Sequence, residues 1–298
     1  MIVTTMNSSQ LITKYFKLEM SMISGIFIRV FHLVLTVSII CVLIFMDTEL
    51  KDAINDRNIF LISAFTALVT VSGSLYFAAS LMDPGYVPKG KERRKATFTV
   101  SLSSSSDDSE EDCNIESEAA MMLGKLRRRK CDSCCVEQPV RSKHCSECGR
   151  CVRKFDHHCP WLENCVGERN HKYFWLFLLC EMLLVLWAIK LTWSGFRTGT
   201  TPDSWLKMNA IILIAFLVLL FSGFVVGSLF CCHTFMMFTN QTTWEFMARH
   251  RITYLKNIGE DVNPFDEGYI RNCLKFLCSC AYKPWELALG RHYELQKV

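Results

Sequence analysis

Eleven cysteines and histidines, side chains able to ligate a metal, attack a carbonyl or take a proton, lie between residues 131 and 165: Cys131, Cys134, Cys135, His144, Cys145, Cys148, Cys151, His157, His158, Cys159 and Cys165. Cysteines three positions apart on a tight turn can fill two corners of one tetrahedron, so C-x2-C pairs with histidines beside them point to zinc. Structural zinc takes four ligands; two closed sites would use eight of the eleven and leave three for other work. What remains could be covalent chemistry. A thiolate is a strong nucleophile, a neighbouring imidazole can remove its proton, and a carboxylate on the other ring nitrogen fixes the tautomer and stabilises the imidazolium. Asp156, His157 and Cys159 are such a set. On spacing alone an alternative stands beside it, with Cys159 as a ninth zinc thiolate and Asp156 as a surface charge.

These residues need a platform. A segment of about 44 residues, 129–172, is too small to be stable on its own apolar core, and zinc would supply that folding free energy. A nucleic-acid role for such fingers is excluded: the spacers lack a recognition helix, and the segment is pinned to a membrane at both ends. The near balance of 33 basic and 29 acidic residues does not argue for one either.

The membrane is read from composition. Half of the 298 residues are hydrophobic and mean hydropathy is positive. A bilayer core needs about 20 apolar residues of helix. Four such runs occur, at about Ile26 to Met46, Phe60 to Met82, Tyr173 to Trp193 and Ala210 to Cys232. The first lacks a cleavage site and is read as an uncleaved span. The loop from Asp83 to Lys172 carries 17 of the 33 Lys and Arg residues, against two in each of the other loops, which makes it cytosolic. With four spans, both termini are then cytosolic too. The fold expected is an all-α polytopic membrane protein, four transmembrane helices with a small cytosolic double-zinc domain between helices 2 and 3. Its divisions are a cytosolic N-terminus (1–25), a hairpin of helices 1 and 2 (26–82), a linker (83–128), the cysteine-rich domain (129–172), a hairpin of helices 3 and 4 (173–232) and a cytosolic tail (233–298).

Within the linker, Ser101 to Asp112 is serine and acid with too little apolar surface to offset ordering, so disorder is expected there. In the spans, Arg29 and Lys190 should snorkel, and Glu181 should either form a buried pair with His32 or Arg29 or stand as a protonated carboxyl. Cys273, Cys278 and Cys280 sit in an apolar-basic tail segment that could lie on the membrane and be acylated.

The run Asp156 to His171, DHHCPWLENCVGERNH, with the Cys/His ladder before it, resembles the DHHC-type protein S-acyltransferases, or palmitoyltransferases. Asp83-Pro84-Gly85 resembles the family's DPG motif, Thr242-Thr243-Trp244-Glu245 its TTxE motif, and Asn263-Pro264-Phe265-Asp266 with Asn272 its C-terminal segment. The resemblance implies a four-span enzyme with one zinc on Cys131, Cys134, His144 and Cys151 and the second on Cys145, Cys148, His158 and Cys165. It leaves Cys159 as nucleophile, His157 as base and Asp156 as its orienter, with Thr243 hydrogen-bonding Asp156; Trp161 is either beside the acyl donor or an interfacial anchor. It implies two structural Zn2+, palmitoyl-CoA as co-substrate, acceptor cysteines on membrane-associated proteins at the cytosolic face, and a Golgi or endoplasmic reticulum membrane. Arg141, Lys143, Arg150, Arg153, Lys154, Arg169 and Lys172 are the cations near enough in sequence to meet CoA phosphates. A family residue that limits the lipid cavity falls near Leu184. The competing reading is a zinc-organised membrane adaptor without chemistry, which would need the zinc ligands but not the Asp-His-Cys set.

Overall fold

The computed structural model describes residues 8–89, 129–256, 258–259 and 262–278. The serine-acid run, Cys113, the basic residues 125–128 and Cys280 lie outside the described residues. The described chain runs as helix α1 (Ser8–Phe45), α2 (Glu49–Asn55), α3 (Ile59–Leu81), six short strands, α4 (His171–Ser194), α5 (Pro202–Thr239), α6 (Thr243–Met247), a 3-10 turn (Arg249–Arg251) and α7 (Tyr269–Cys278). By its contacts it divides into two compact units: Met1–Met82 with His158–Asn164 and Asn170–Thr234, and Asp83–His157 with Cys165–Arg169 and Phe235–Val298.

Among the described residues four helices are long and apolar enough to cross a bilayer: Ile23–Phe45, Ile59–Leu81, His171–Ser194 and Pro202–Thr239. This is a multi-pass membrane protein. The fourth helix extends well beyond the 210–232 run at both ends. Pro202 suits a first helical turn because its missing N–H would be unpaired there, and Asp203 in that turn favours the positive end of the helix. At the far end the apolar run Phe235 to Phe238 continues the helix until Asn240, whose φ of 49° is the left-handed stop. The bundle is apolar on both sides. Leu43, Leu50, Phe65, Leu184, Val185, Ala188, Leu191 and Leu219 form its buried cluster, while Phe27, Phe221 and Phe224 stand outward, about 70 % exposed, as lipid in place of water allows.

The expected pairing of Glu181 with His32 or Arg29 is not formed. Ser72 Oγ on α3 donates to Glu181 Oε2 at 2.5 Å instead, and Arg29 Nε donates to Ser80 Oγ at 2.7 Å. A hydroxyl on a neighbouring span hydrogen-bonds the carboxyl without a second charge, which is the cheaper way to satisfy it in hydrocarbon. Lys190 reaches Glu49 at the start of α2 at 2.9 Å.

The cysteine-rich segment follows α3 and precedes α4 in the chain, between the second and third spans as expected. It is three two-stranded hairpins: β1 (Lys130–Cys131) with β2 (Val136–Glu137), β3 (Lys143–Cys145) with β4 (Arg150–Val152), and β5 (His157–Cys159) with β6 (Asn164–Val166). In the first, Cys131 faces Val136; in the second, His144 faces Cys151. Asp83 opens a strap along this segment. Its Oδ1 accepts the amides of Gly85 and Tyr86, both at 2.8 Å, and Gly85 takes φ 107°, which a side chain would strain. Gly85 O and the Val87 amide then pair with Arg153 and Cys151 on or beside β4.

Candidate functional site

Among the described residues three cysteines and a histidine come together twice: Cys131, Cys134, His144 and Cys151, and Cys145, Cys148, His158 and Cys165, with the ligand atoms of each set within 4.8 Å of one another. Hairpin turns supply the pairs. His144 Nδ1 lies 3.5, 3.3 and 3.9 Å from the sulfurs of Cys131, Cys134 and Cys151. A tetrahedral ion with bonds of about 2.3 Å to sulfur and about 2.0 Å to nitrogen needs ligands about 3.6 Å apart. In the second group Cys148 Sγ and Cys165 Sγ are 3.4 Å apart, too far for a disulfide. Burial pushes the Cys151 thiol up to about 12, and the crowding of Cys145 and Cys148 against Cys165, with burial, raises that thiol further. Three thiols packed this closely cannot all ionise unaided. A cation at the centre would draw off their protons, so both donor sets fit a metal ion. Cys135 belongs to neither group; it is exposed in a left-handed turn (φ 54°).

The Asp156 carboxylate is fully buried and held at both oxygens. Oδ1 accepts the main-chain amide of Thr243 at 2.8 Å, and Oδ2 meets His157 Nδ1 at 2.7 Å. The Thr243 contact is thus made by backbone, not by the hydroxyl. His157 and Cys159 are two residues apart on β5 and share a face, while His158 between them turns to the other side. One three-residue strand therefore offers a ligand in one direction and an imidazole and thiol in the other. A carboxylate beside Nδ1 favours the tautomer that carries its proton on that nitrogen.

The TTxE segment builds the support for Asp156. Thr242 caps α6: its Oγ1 accepts the Glu245 amide, and Glu245 Oε2 accepts the Thr242 amide, a capping box. Glu245 is also the partner of Arg141, which donates from Nε at 2.7 Å and Nη2 at 2.6 Å. Both side chains are buried, and the Arg141 guanidinium stacks on Phe265 at 4.1 Å. Asn240 accepts from Arg141 and Lys154 and donates to the Phe265 carbonyl. Asn263 and Asn272 donate to the carbonyls of Thr239 and Phe238, closing the last turn of α5 where helix carbonyls lack partners.

Residues 125–250 match the family described as DHHC palmitoyltransferase. The chain is 40 % identical over 268 residues to Palmitoyltransferase ZDHHC12 of Mus musculus, covering 88 % of this chain and 91 % of that protein. It is 39 % identical over 265 residues to the Homo sapiens protein of the same name, with the same coverages. To Palmitoyltransferase ZDHHC12-A of Danio rerio it is 38 % identical over 269 residues, 90 % and 96 % of the two chains. The chain belongs to the DHHC palmitoyltransferase family.

Within this DHHC palmitoyltransferase the seven candidate phosphate cations fall in different settings. Arg141 is removed from that group by its burial on Glu245. Arg153 pairs with Glu168 at 2.6 Å and Arg169 with Asp83 at 3.3 Å. Arg150 lies over Tyr86, Lys143 over Trp244, and Lys172 over Tyr173. Lys143 with Arg129, Lys130 and Arg251 lines a groove of about 620 Å³ beside the first ligand group. Burial lowers the Lys143 ammonium. Trp161 packs edge-on against Phe31 and His32 of α1. A cavity of about 70 Å³ within the bundle is lined by His32, Thr36, Glu181, Leu184 and Ser222 among others. Sequence reasoning passed over Arg141, Thr242, Glu245 and Asn240 as a network. The T-x-x-E spacing is a capping-box signature that could have placed the first turn of α6; nothing in the sequence separates Arg141 from its six basic neighbours.

Proposed function

We propose that this DHHC palmitoyltransferase moves a long-chain acyl group, palmitoyl above all, from acyl-CoA to cysteine thiols of membrane-associated proteins through an acyl-enzyme on Cys159. The observation that carries the reading is the Asp156 carboxylate held between the Thr243 amide and His157 Nδ1, on the strand where Cys159 shares a face with His157. His157 takes the Cys159 proton, and the thiolate attacks the thioester carbonyl carbon. The bond from that carbon to the CoA sulfur breaks as the new one forms, and CoA leaves with the proton from His157. The acceptor cysteine then gives its proton to His157, attacks the acyl-enzyme carbon and expels Cys159 as thiolate. Asp156 keeps the imidazole in one tautomer and stabilises its charged form. One thioester replaces another, so the protein supplies positioning and thiolate activation rather than driving force.

Zinc is the metal that best suits the two Cys3His sets, and its chemistry there is structural, since four protein ligands leave no open position. The long loop, both termini and the tail face the cytosol in this reading, in a Golgi or endoplasmic reticulum membrane, and the partners are acyl-CoA, lipid and cysteine-bearing membrane proteins, with no nucleic acid. The test is mass spectrometry of the purified protein after incubation with palmitoyl-CoA. The expected result is a hydroxylamine-sensitive adduct of one palmitoyl group on the peptide holding Cys159, absent from Cys159→Ala. Undiminished labelling of substrate cysteines by Cys159→Ala would sink the assignment.

A further inference from the structure

The turn that follows Cys159 is tied to the membrane helices by contacts that none of the roles above uses. Residues 160–163 form a turn in which the Glu163 amide donates to the Pro160 carbonyl at 3.2 Å. Helix α3 reaches both inner carbonyls of this turn: Tyr76 Oη donates to Trp161 O at 3.1 Å, and Ser80 Oγ to Leu162 O at 2.7 Å. Four residues apart, the two hydroxyls lie one above the other on a single helix face, a spacing that matches successive carbonyls. Behind Ser80 stands Arg29 of α1, whose Nε donates to Ser80 Oγ at 2.7 Å. With that lone pair occupied, the Ser80 proton is directed to Leu162. Asn164 closes the far side of the turn, its Nδ2 within 3.3 Å of the carbonyls of Ala79, Ser80 and Met82 at the end of α3.

These groups are expensive where they are. Tyr76 is fully buried and Ser80 nearly so, and polar groups in an apolar span cost free energy that phenylalanine and alanine would not. Packing does not require them, since the Tyr76 ring already stacks on His32 at 4.1 Å without its hydroxyl. What the hydroxyls add is a fixed height for the turn. Cys159 directly precedes Pro160, the first residue of this turn, so the anchored segment begins beside the thiol.

We propose that Tyr76, Ser80 and Arg29 are positioning residues for acyl transfer. They set the depth of the turn, and so of Cys159, at the level where a lipid-held acyl chain presents its thioester. The inference rests on the assignment of Cys159 as the residue that accepts the acyl group. None of the three gives or takes an atom in the reaction.

The full chain, purified in nanodiscs, is compared with Tyr76→Phe, Ser80→Ala and Ser80→Thr in steady-state acyl transfer from palmitoyl-CoA. Tyr76→Phe keeps the ring stack and loses the hydroxyl; Ser80→Thr keeps a donor. We expect kcat to fall about 10- to 100-fold in Tyr76→Phe and Ser80→Ala, with KM for palmitoyl-CoA unchanged and Ser80→Thr recovering the rate. Alkylation of Cys159 by iodoacetamide, followed on its peptide, should be as fast as in the unaltered chain or faster. Unchanged kcat in both variants overturns the proposal. So does a joint fall of alkylation, melting temperature and kcat, the mark of a merely structural role. Failure of the underlying assignment reads differently: an acyl adduct that persists in Cys159→Ala.

Discussion

The two Cys3His groups have the same composition and different neighbours. The first joins the β1–β2 hairpin to β3–β4 and borders an open basic groove. The second takes His158 and Cys165 from β5 and β6, the strands on either side of the Cys159 turn. Strand alternation puts His158 on one face of β5 and His157 with Cys159 on the other. If Cys159 carries the acyl group as proposed, loss of the second group should affect it more than loss of the first, because His158 and Cys159 are neighbours on one strand. Identical donor sets can thus differ in function by the strand that carries them.

The sharpest way to break this comparison is to remove one sulfur from each. Cys165→Ala and Cys131→Ala should each lose one metal per chain by elemental analysis. Acyl-enzyme formation should fall about 100-fold or more in Cys165→Ala and about 10-fold in Cys131→Ala. Equal losses would show that the two groups support the site in the same way.

A second variant asks whether the support of Asp156 is independent of either metal. Glu245→Gln leaves the Arg141 guanidinium buried without its carboxylate, which should destabilise the fold by about 3 to 5 kcal/mol. Thermal melting in detergent should register this with both metals still bound. The smallest effect separates backbone from side chain at Thr243. Proline is tolerated in the first turn of a helix, and Thr242 before it is already extended (φ −107°, ψ 156°). Thr243→Pro should therefore delete the N–H that Asp156 accepts and little else. About a 10-fold fall in acyl-enzyme formation is expected, with Thr243→Ala close to the unaltered chain. The reverse order would assign the role to the hydroxyl.

Much of the membrane part could be read from composition because a bilayer imposes a length: a run of about 20 apolar residues has few other uses. The ends of the fourth helix could not, since they depend on Pro202 and Asn240 at its termini rather than on hydropathy. The hairpins of the cysteine-rich segment are not legible in the sequence because strands of two or three residues are too short to show a period. Glu181 was visible as an intramembrane acid, but its partner was not: Ser72 is one of several small polar residues in the spans, and only helix packing selects it. The seven cations near Cys159 were equivalent in sequence, and burial on Glu245 sets Arg141 apart.

Residue type and spacing by themselves determined the chemistry this protein can hold: four spans, two sets of four soft ligands, and an acid, an imidazole and a thiol within four residues. Those are local properties, fixed by what each side chain is and how far the backbone lets it reach. Tertiary structure alone decided which carboxylate neutralises Arg141, that Asp156 is held by an amide, and that hydroxyls from α3 meet the turn beyond Cys159. Each of these contacts joins residues 82 to 104 positions apart, and no spacing rule operates over such distances because folding, not the local chain, brings them together.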